Sequence, residues 1–119
     1  MDANQLIKRT KQFALDNIRF FQTLPKTDEA RILGKQLLRS STSVASNYRA
    51  ACRSRSKQEF YSKLCIVVEE SDESLFWLEL IQDSGILADV KTTLLMKEAE
   101  ELLFIFSASK RSTKLNLKQ

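Results

Sequence analysis

Residues 31–80 read RILGKQLLRSSTSVASNYRAAC (31–52), RSRSK (53–57) and QEFYSKLCIVVEESDESLFWLEL (58–80), and this stretch carries the pattern from which the fold is predicted. At about 100° per residue, the small and apolar residues of the first segment fall on one side of a helix. This predicted core face consists of Leu33, Gly34, Leu37, Ser41, Val44, Ala45, Tyr48, Ala51 and Cys52. The run Ser40-Ser41-Thr42-Ser43 forms helices weakly, so we expect close packing between helices to explain its small residues.

The opposite side of the same helix is basic. An arc of about 80° holds Thr42, Ser46 and the predicted nucleic-acid-binding residues Arg31, Lys35, Arg39, Arg49 and Arg53. No Asp or Glu occurs between Arg31 and Lys57, whereas residues 64–90 hold seven acids and no Lys or Arg. These charges either form a functional basic surface or are solvated and paired between neighbouring helices.

The second segment carries apolar residues on more than one side. One stripe, the predicted core face, is Phe60, Leu64, Val67, Val68, Ser71, Leu75 and Leu78. A second set lies away from it, among glutamates: Ile66, Phe76, Trp77, Leu80 and Ile81. A helix in a small bundle needs only one apolar face. We therefore expect the second set to be an oligomer interface against another copy of the chain.

A helix of about 20 residues is predicted before this stretch, ending at Leu24-Pro25. Its apolar stripe is Leu6, Ile7, Phe13, Ala14, Ile18, Phe21 and Leu24. Polar residues that accept hydrogen bonds from backbone N–H groups mark the helix starts. The candidate caps are Asp2 or Asn4 for the first helix, Thr27 or Asp28 for the second, and Ser54 or Ser56 for the third.

A fourth helix follows Gly85, which suits the position after a helix C-terminus, and Asp89, which suits an N-cap. Its predicted stripe is Leu94, Leu95, Glu98, Leu102, Ile105 and Phe106, widened by Leu103 and Phe104. The tail from Lys110, KRSTKLNLKQ (110–119), is predicted to fray. Its cations either add to a nucleic-acid surface or only increase solubility: Lys110, Arg111, Lys114 and Lys118.

Composition bounds the fold class. The chain has 119 residues, 43% of them apolar, with two glycines and one proline, and fits a single domain over residues 1–119. Because turn signals are few, the pattern predicts an all-α fold, an antiparallel up-and-down four-helix bundle. No signal-peptide run and no stretch of about 18 apolar residues occurs. We therefore expect a soluble, cytoplasmic protein with no membrane partner.

The residues offer no evident chemistry. The chain has no histidine, no glycine-rich phosphate loop and no metal-ligand spacing, so we expect no enzyme, cofactor or metal site. Cys52 and Cys65 lack a CxxC spacing and are interpreted as reduced packing residues rather than a disulfide or a metal site. The net charge of +4 permits a nucleic-acid or acidic-protein partner without requiring one.

Several motifs of the central stretch resemble a known bacterial family. They are GKQLLRS (34–40), SVASNYR (43–49), RSRS (53–56), Glu59-Phe60 with Lys63-Leu64, and ESDE (70–73) leading to FWLEL (76–80). Together they resemble the four-helix-bundle proteins associated with intervening sequences of bacterial 23S ribosomal RNA genes. The resemblance runs from about Leu6 to Phe106. One departure is Ala50, where the family pattern usually has an acid; Arg49 and Arg53 are then freer to meet a phosphate, or the position has drifted.

This resemblance implies an up-and-down four-helix bundle. The family is similar to the accessory protein of diversity-generating retroelements, a pentameric barrel that engages nucleic acid and a reverse transcriptase. The resemblance therefore implies a homo-oligomer, with a pentamer as the expected form.

Two functional hypotheses follow. In the first, a non-enzymatic oligomer binds RNA or DNA through phosphate contacts of the basic face of the second helix, with little reading of bases. Stacking on bases is not expected, since Tyr48 lies on the core side. In the alternative, the chain is a protein-interaction scaffold whose basic and acidic faces pair with a partner protein or between subunits. We favour the first, mainly through the resemblance.

Overall fold

The computed structural model describes residues 1–118, which form four α-helices: α1 (Ala3–Thr23), α2 (Asp28–Cys52), α3 (Lys57–Asp83) and α4 (Val90–Leu117). Each helix packs against the next along the chain, and α4 returns to α1 through a smaller contact. The bundle measures 50 × 23 × 21 Å. The predicted all-α, antiparallel up-and-down four-helix bundle is thereby confirmed.

Polar side chains define the helix starts as the sequence predicts. Asp2 forms a capping box with Gln5, through hydrogen bonds of 2.8 and 3.0 Å between each side chain and the other residue's backbone N–H. For α2 the cap is Thr27 and not Asp28, and for α3 it is Ser56 and not Ser54. Asp89 caps α4, as predicted. These contacts satisfy N–H groups that have no partner within the helix.

Connections between helices are short, and one of them needs a glycine. Leu24, before Pro25, ends α1 in an extended conformation. Gly85 follows the end of α3 with a φ of 79°, a left-handed conformation that a side chain would strain. Leu87 N–H then donates to the Ile81 carbonyl over 3.3 Å, which turns the chain back towards α4.

Aromatic and aliphatic side chains fill the centre of the bundle. Phe13, Leu37, Leu64, Leu102 and Phe106 are among its fully buried members. The rings of Tyr48 on α2 and Phe106 on α4 meet at a centroid distance of 5.0 Å and an interplanar angle of 45°. This contact joins two helices that are not sequence neighbours, so it ties the two halves of the bundle together.

The small residues of α2 permit close contacts on both of its flanks. A Cβ atom added to Gly34 would lie 2.7 Å from Phe21 Cδ1 of α1. On the other flank, the Ser74 hydroxyl of α3 donates to the Ser40 hydroxyl over 3.0 Å, and both side chains are fully buried. Close packing therefore explains both residues, as the sequence predicts for the run that includes Ser40; Gly34 was predicted only to lie on the core face.

Three sets of assignments differ from the sequence predictions. On α1, Ile18 of the predicted apolar stripe is 38% exposed, and Phe20 is buried instead. Ile81 is fully buried in the core, so it is not part of the second apolar set of α3. On α4, Leu94 is 61% exposed and Phe104 72% exposed, and the small residues Thr92 and Ala99 take core positions instead. The segment from Lys110 is helical through Leu117, where α4 ends. That this end of the helix frays in solution remains a prediction. Gln119, the last tail residue, lies outside the described residues.

Arg9 holds the contact between α1 and α4. Its Nε and Nη2 atoms donate to the two carboxylate oxygens of Glu98 over 2.8 and 2.7 Å, and Nη2 also lies 3.0 Å from Glu101. The hydrogen bond to Glu98 raises the pKa of Arg9. Glu98, predicted within the apolar stripe of α4, is therefore an ion-pair partner beside that stripe.

Candidate nucleic-acid interface

All five cations predicted to bind nucleic acid are exposed on the outer side of α2: Arg31, Lys35, Arg39, Arg49 and Arg53. The five cations differ in whether a carboxylate of the described residues is paired with them. Arg31 Nη2 lies 2.6 Å from Asp28 Oδ1, one turn earlier in the same helix. That carboxylate already neutralises part of the charge that Arg31 would offer to a phosphate.

Arg39 is engaged more extensively, by two acids of α3. Its Nη1 donates to Glu70 over 3.1 Å, and its Nη2 donates to Glu73. The same Glu73 oxygen accepts a hydrogen bond of 3.2 Å from the indole Nε1 of Trp77. The hydrogen bond from Arg39, followed by that from Trp77, lowers the pKa of Glu73, and the reciprocal contact raises the pKa of Arg39. Arg39 therefore contributes to the contact between α2 and α3.

We expect Arg39→Gln to lower the free energy of unfolding by about 1 kcal/mol at neutral pH. The substitution leaves Glu70, whose side chain is 12% exposed, without its cation. Because the folded-state pKa of Glu73 is lowered, this stabilisation is complete above the unfolded-state pKa of about 4.3 and is lost as pH falls through the folded-state value.

Urea unfolding at neutral pH and near pH 3, well below about 4.3, tests this expectation. The wild type and Arg39→Gln should differ at neutral pH, and the difference should be smaller in acid, because it is lost as pH falls through the lowered folded-state pKa of Glu73. Lys35→Gln, which removes a cation one turn away with no ion-pair partner among residues 1–118, is the control and should change stability by less than about 0.5 kcal/mol. An Arg39→Gln protein as stable as Lys35→Gln at neutral pH would contradict a stabilising role.

Lys35, Arg49 and Arg53 remain without an ion pair to any carboxylate of residues 1–118. Arg49 lies in the last turn of α2 and Arg53 is its C-cap residue. Both positions are at the end of the helix where the exposed carbonyl groups carry partial negative charge, so the cations are also favourably placed for the helix itself. These three residues are the predicted binding positions with their charge still available.

The structure adds further cations to Arg49 and Arg53 at the same end of the bundle. An open cavity of about 540 Å³ there is lined by the start of α1, the α2–α3 connection and the end of α4, including Arg55, Lys57 and Asn116. We call the cations of these converging segments the basic end: Arg49, Arg53, Arg55, Lys57, Lys110, Arg111, Lys114 and Lys118. Arg55 is 93% exposed and reaches Glu59 only at 4.0 Å.

The basic end was visible in the sequence only as two separate segments, RSRSK (53–57) and the tail from Lys110. Its convergence follows from topology: in an up-and-down bundle, the end of α2, the start of α3 and the end of α4 meet at one end. The interpretation of the tail cations as part of a nucleic-acid surface remains a prediction that this placement supports.

Aromatic stacking partners are not part of the predicted arc. Tyr48 is buried against Phe106, and this burial raises the pKa of its phenol. Its ring is therefore inaccessible to a nucleic-acid base, in agreement with the sequence. The predicted arc of α2, which has cations and no aromatic ring, is suited to phosphate contacts, while Phe60 lines the cavity at the basic end.

The metal-ligating groups, the thiols and the apolar helices of residues 1–118 bear on other kinds of site. No group of three or more His, Cys, Asp or Glu side chains in this range is placed to hold a metal ion. Cys52 and Cys65 are half-buried free thiols, and Cys52 packs against the core. None of the helices in this range has the length and apolar character needed to cross a membrane.

Four of the five residues predicted as an oligomer interface lie at the surface. Phe76 is 50% exposed and Ile66 37% exposed, and Trp77 and Leu80 are half-buried. The rings of Phe76 and Trp77 meet edge to face with centroids 5.2 Å apart. Ile81 is the exception, as its side chain belongs to the core. The role of the other four as an interface remains a prediction.

The chain is similar in sequence to one protein family and in fold to a solved structure. A family model described as 23S rRNA-intervening sequence protein matches residues 2–108. Among solved structures, the chain is similar to a protein of unknown function from the S23 ribosomal protein family of Bacteroides thetaiotaomicron, with 24% sequence identity and a TM-score of 0.80. The match covers 87% of this chain and 96% of that one, and it supports the fold alone. No curated protein matches the sequence.

Proposed function

The chain belongs to the 23S rRNA-intervening sequence protein family, and we propose that it is a non-enzymatic, homo-oligomeric bundle that binds RNA or DNA through the basic end. The observation that carries this proposal is the topology, which brings the segment holding Arg49, Arg53, Arg55 and Lys57 to the same end of the bundle as the C-terminus of α4 with its cations. Arg55 and Lys57 line an open cavity there together with Thr113 and Asn116 of α4. The family description names 23S rRNA, which makes a structured RNA the first nucleic acid to test.

The proposed mechanism is electrostatic. Arginine and lysine side chains contact phosphate oxygens and displace the condensed counterions of the nucleic acid. Arginine presents two parallel N–H donors to a phosphate, and such contacts position a nucleic acid without reading its sequence. We therefore propose binding with weak sequence preference, centred on Arg49 and Arg53. Lys35 extends the surface along α2. Arg31 and Arg39 contribute less to phosphate binding, because their guanidinium groups are already paired with carboxylates of this chain.

Assembly of several copies would repeat the basic end around a ring and raise the number of phosphate contacts. The pentamer implied by resemblance to the accessory protein of diversity-generating retroelements is part of this proposal. Each additional basic end within reach of the same nucleic acid raises its effective local concentration.

Fluorescence anisotropy of labelled structured RNA and duplex DNA, over a series of salt concentrations, tests the proposal. The logarithm of affinity should fall linearly with the logarithm of salt concentration, with a slope of about 0.9 for each phosphate contacted on a duplex. We expect a slope equivalent to at least about four contacts. Absence of binding at low salt, by protein that circular dichroism shows to be folded, would overturn the proposal.

A second candidate function is a protein-interaction scaffold. It is favoured by exposed Phe76 and Ile66, which lie on α3 among acids, because exposed aromatic and aliphatic side chains are typical of protein interfaces. The partner in that case is a protein or another subunit. This alternative predicts no salt-dependent binding of RNA or DNA.

A further inference from the structure

Besides the exposed apolar residues Leu15, Ile18 and Ile32 of α1 and α2, the bundle has two surfaces of exposed or half-buried apolar residues on α3 and α4. The first, which we call the α3 apolar face, consists of Ile66, Phe76, Trp77 and Leu80 within an arc of about 100°. The second, the α4 outer face, consists of Val90, Leu94, Phe104 and Leu115 within an arc of about 80°. Each member of the α4 outer face is more than 60% exposed.

The two surfaces are directed to different sides of the bundle. Trp77 of the α3 apolar face donates to Glu73, which in turn accepts from Arg39 of α2, so this face is next to α2. The α4 outer face lies opposite the buried side of α4, whose members include Thr92, Ala99 and Phe106. One partner lying on one side of the molecule therefore cannot cover both surfaces.

The surfaces also carry opposite charge. Seven acids and two lysines occur in α3, and Glu69, Asp72 and Glu79 are exposed around the α3 apolar face. On α4, the exposed cation Lys97 lies within the arc of the outer face, and the exposed side chains of Arg111 and Glu100 flank one edge of it. The acid in that arc, Glu101, is already paired with Arg9 at 3.0 Å. The α4 outer face, with Lys97 inside its arc and Arg111 beside it, is therefore the more cationic surface of the two.

We propose that the α3 apolar face of one copy docks on the α4 outer face of the next copy. Packing two α3 apolar faces together would oppose acids to acids and leave the α4 outer face exposed, whereas the proposed contact covers both and pairs opposite charges. A contact between two different surfaces is heterologous and generates a closed ring when its rotation closes. The inference rests on the proposed self-association but is independent of nucleic-acid binding.

Analytical ultracentrifugation of the protein alone, without nucleic acid, tests this contact. The wild type should sediment as an oligomer larger than a dimer. Phe76→Glu and Phe104→Glu each place a charge in one of the two surfaces and should weaken association by at least about 30-fold. Leu15→Glu, which changes an exposed leucine of α1 outside both surfaces, is the matched control and should retain the wild-type mass.

Mixing the two variants gives the sharpest result. Phe76→Glu keeps an intact α4 outer face and Phe104→Glu keeps an intact α3 apolar face, so an equimolar mixture should form a one-to-one dimer that cannot grow. Emission of Trp77, the single tryptophan, should shift to shorter wavelength in that dimer. A monomeric wild type, a Phe104→Glu protein that still dimerises alone, or a mixture that stays monomeric would overturn the inference.

Charge substitutions provide a second route that leaves the apolar residues unchanged. Asp72→Lys with Glu79→Lys, and separately Lys97→Glu with Arg111→Glu, should each weaken association. All four changes in one chain should restore the wild-type mass, since the charges are then exchanged across the contact. Failure of this restoration would contradict the pairing.

Loss of assembly with RNA binding retained would overturn only the interface, whereas intact assembly without RNA binding would overturn only the nucleic-acid proposal.

Discussion

Phe106→Ala should lower the free energy of unfolding of the bundle by about 4 kcal/mol, the largest stability effect we expect from a single substitution. The Phe106 side chain is fully buried, and its ring contacts Tyr48 at a centroid distance of 5.0 Å. Truncation removes the apolar area of the ring and leaves a cavity between α2 and α4, which close-packed neighbours fill only in part.

Phe104→Ala is the matched control for this prediction. It makes the same change two residues away on the same helix, where the side chain is 72% exposed. Urea unfolding at a protein concentration below assembly should show a change of less than about 0.5 kcal/mol. If both variants lowered the free energy of unfolding by the same amount, the orientation of α4 would be contradicted. At higher concentration, Phe104→Ala should weaken assembly, because Phe104 belongs to the proposed α4 outer face.

The combination of Arg49→Glu and Arg53→Glu should weaken nucleic-acid binding by about 100-fold, measured at physiological salt of about 0.15 M. Each arginine contributes a charge-assisted hydrogen bond of about 1.5 kcal/mol or more, which corresponds to roughly tenfold in affinity. Neither residue has a carboxylate partner among residues 1–118, so the substitutions break no ion pair of the described fold. The slope of log affinity against log salt should also fall by about one unit for each arginine–phosphate pair that the substitutions remove.

A matched double variant separates the basic end from the effect of net charge. Lys26→Glu with Lys91→Glu changes the net charge by the same amount, at exposed positions at the opposite end of the bundle. We expect it to lower affinity by no more than about threefold, because charges beyond a Debye length of about 8 Å are largely screened at physiological salt. Equal losses for the two double variants would show that binding depends on overall charge and not on Arg49 and Arg53.

Much of the fold is encoded locally, which is why the sequence predicts it well. The start of each helix is marked by a side chain that caps its own backbone, as Thr27 and Ser56 do within three residues. The core face of α2 is also predictable, because its apolar and small residues follow one helical period while its cations occupy the other side. Four helices with short connections then leave few alternatives to an up-and-down bundle.

When a helix has apolar residues on several sides, the spacing of those residues no longer shows which side is buried. On α3 and α4 several faces are apolar enough to form a core, and only contact with neighbouring helices places Ile81 and Ala99 inside and Leu94 and Phe104 outside. Sequence reasoning was wrong for Ile81, Leu94 and Phe104 for this reason.

The basic face of α2 follows from the sequence alone, because five cations at helical spacing need no knowledge of neighbouring helices. Which of those cations remain available depends on the tertiary structure. Arg39 is paired because the antiparallel register of α2 and α3 sets it beside Glu70 and Glu73, more than 30 positions away in sequence. Arg49 and Arg53 lie instead at the end where α4 brings further cations. Ion pairs between helices depend on distances across the bundle. The periodicity of a single helix carries no information about those distances.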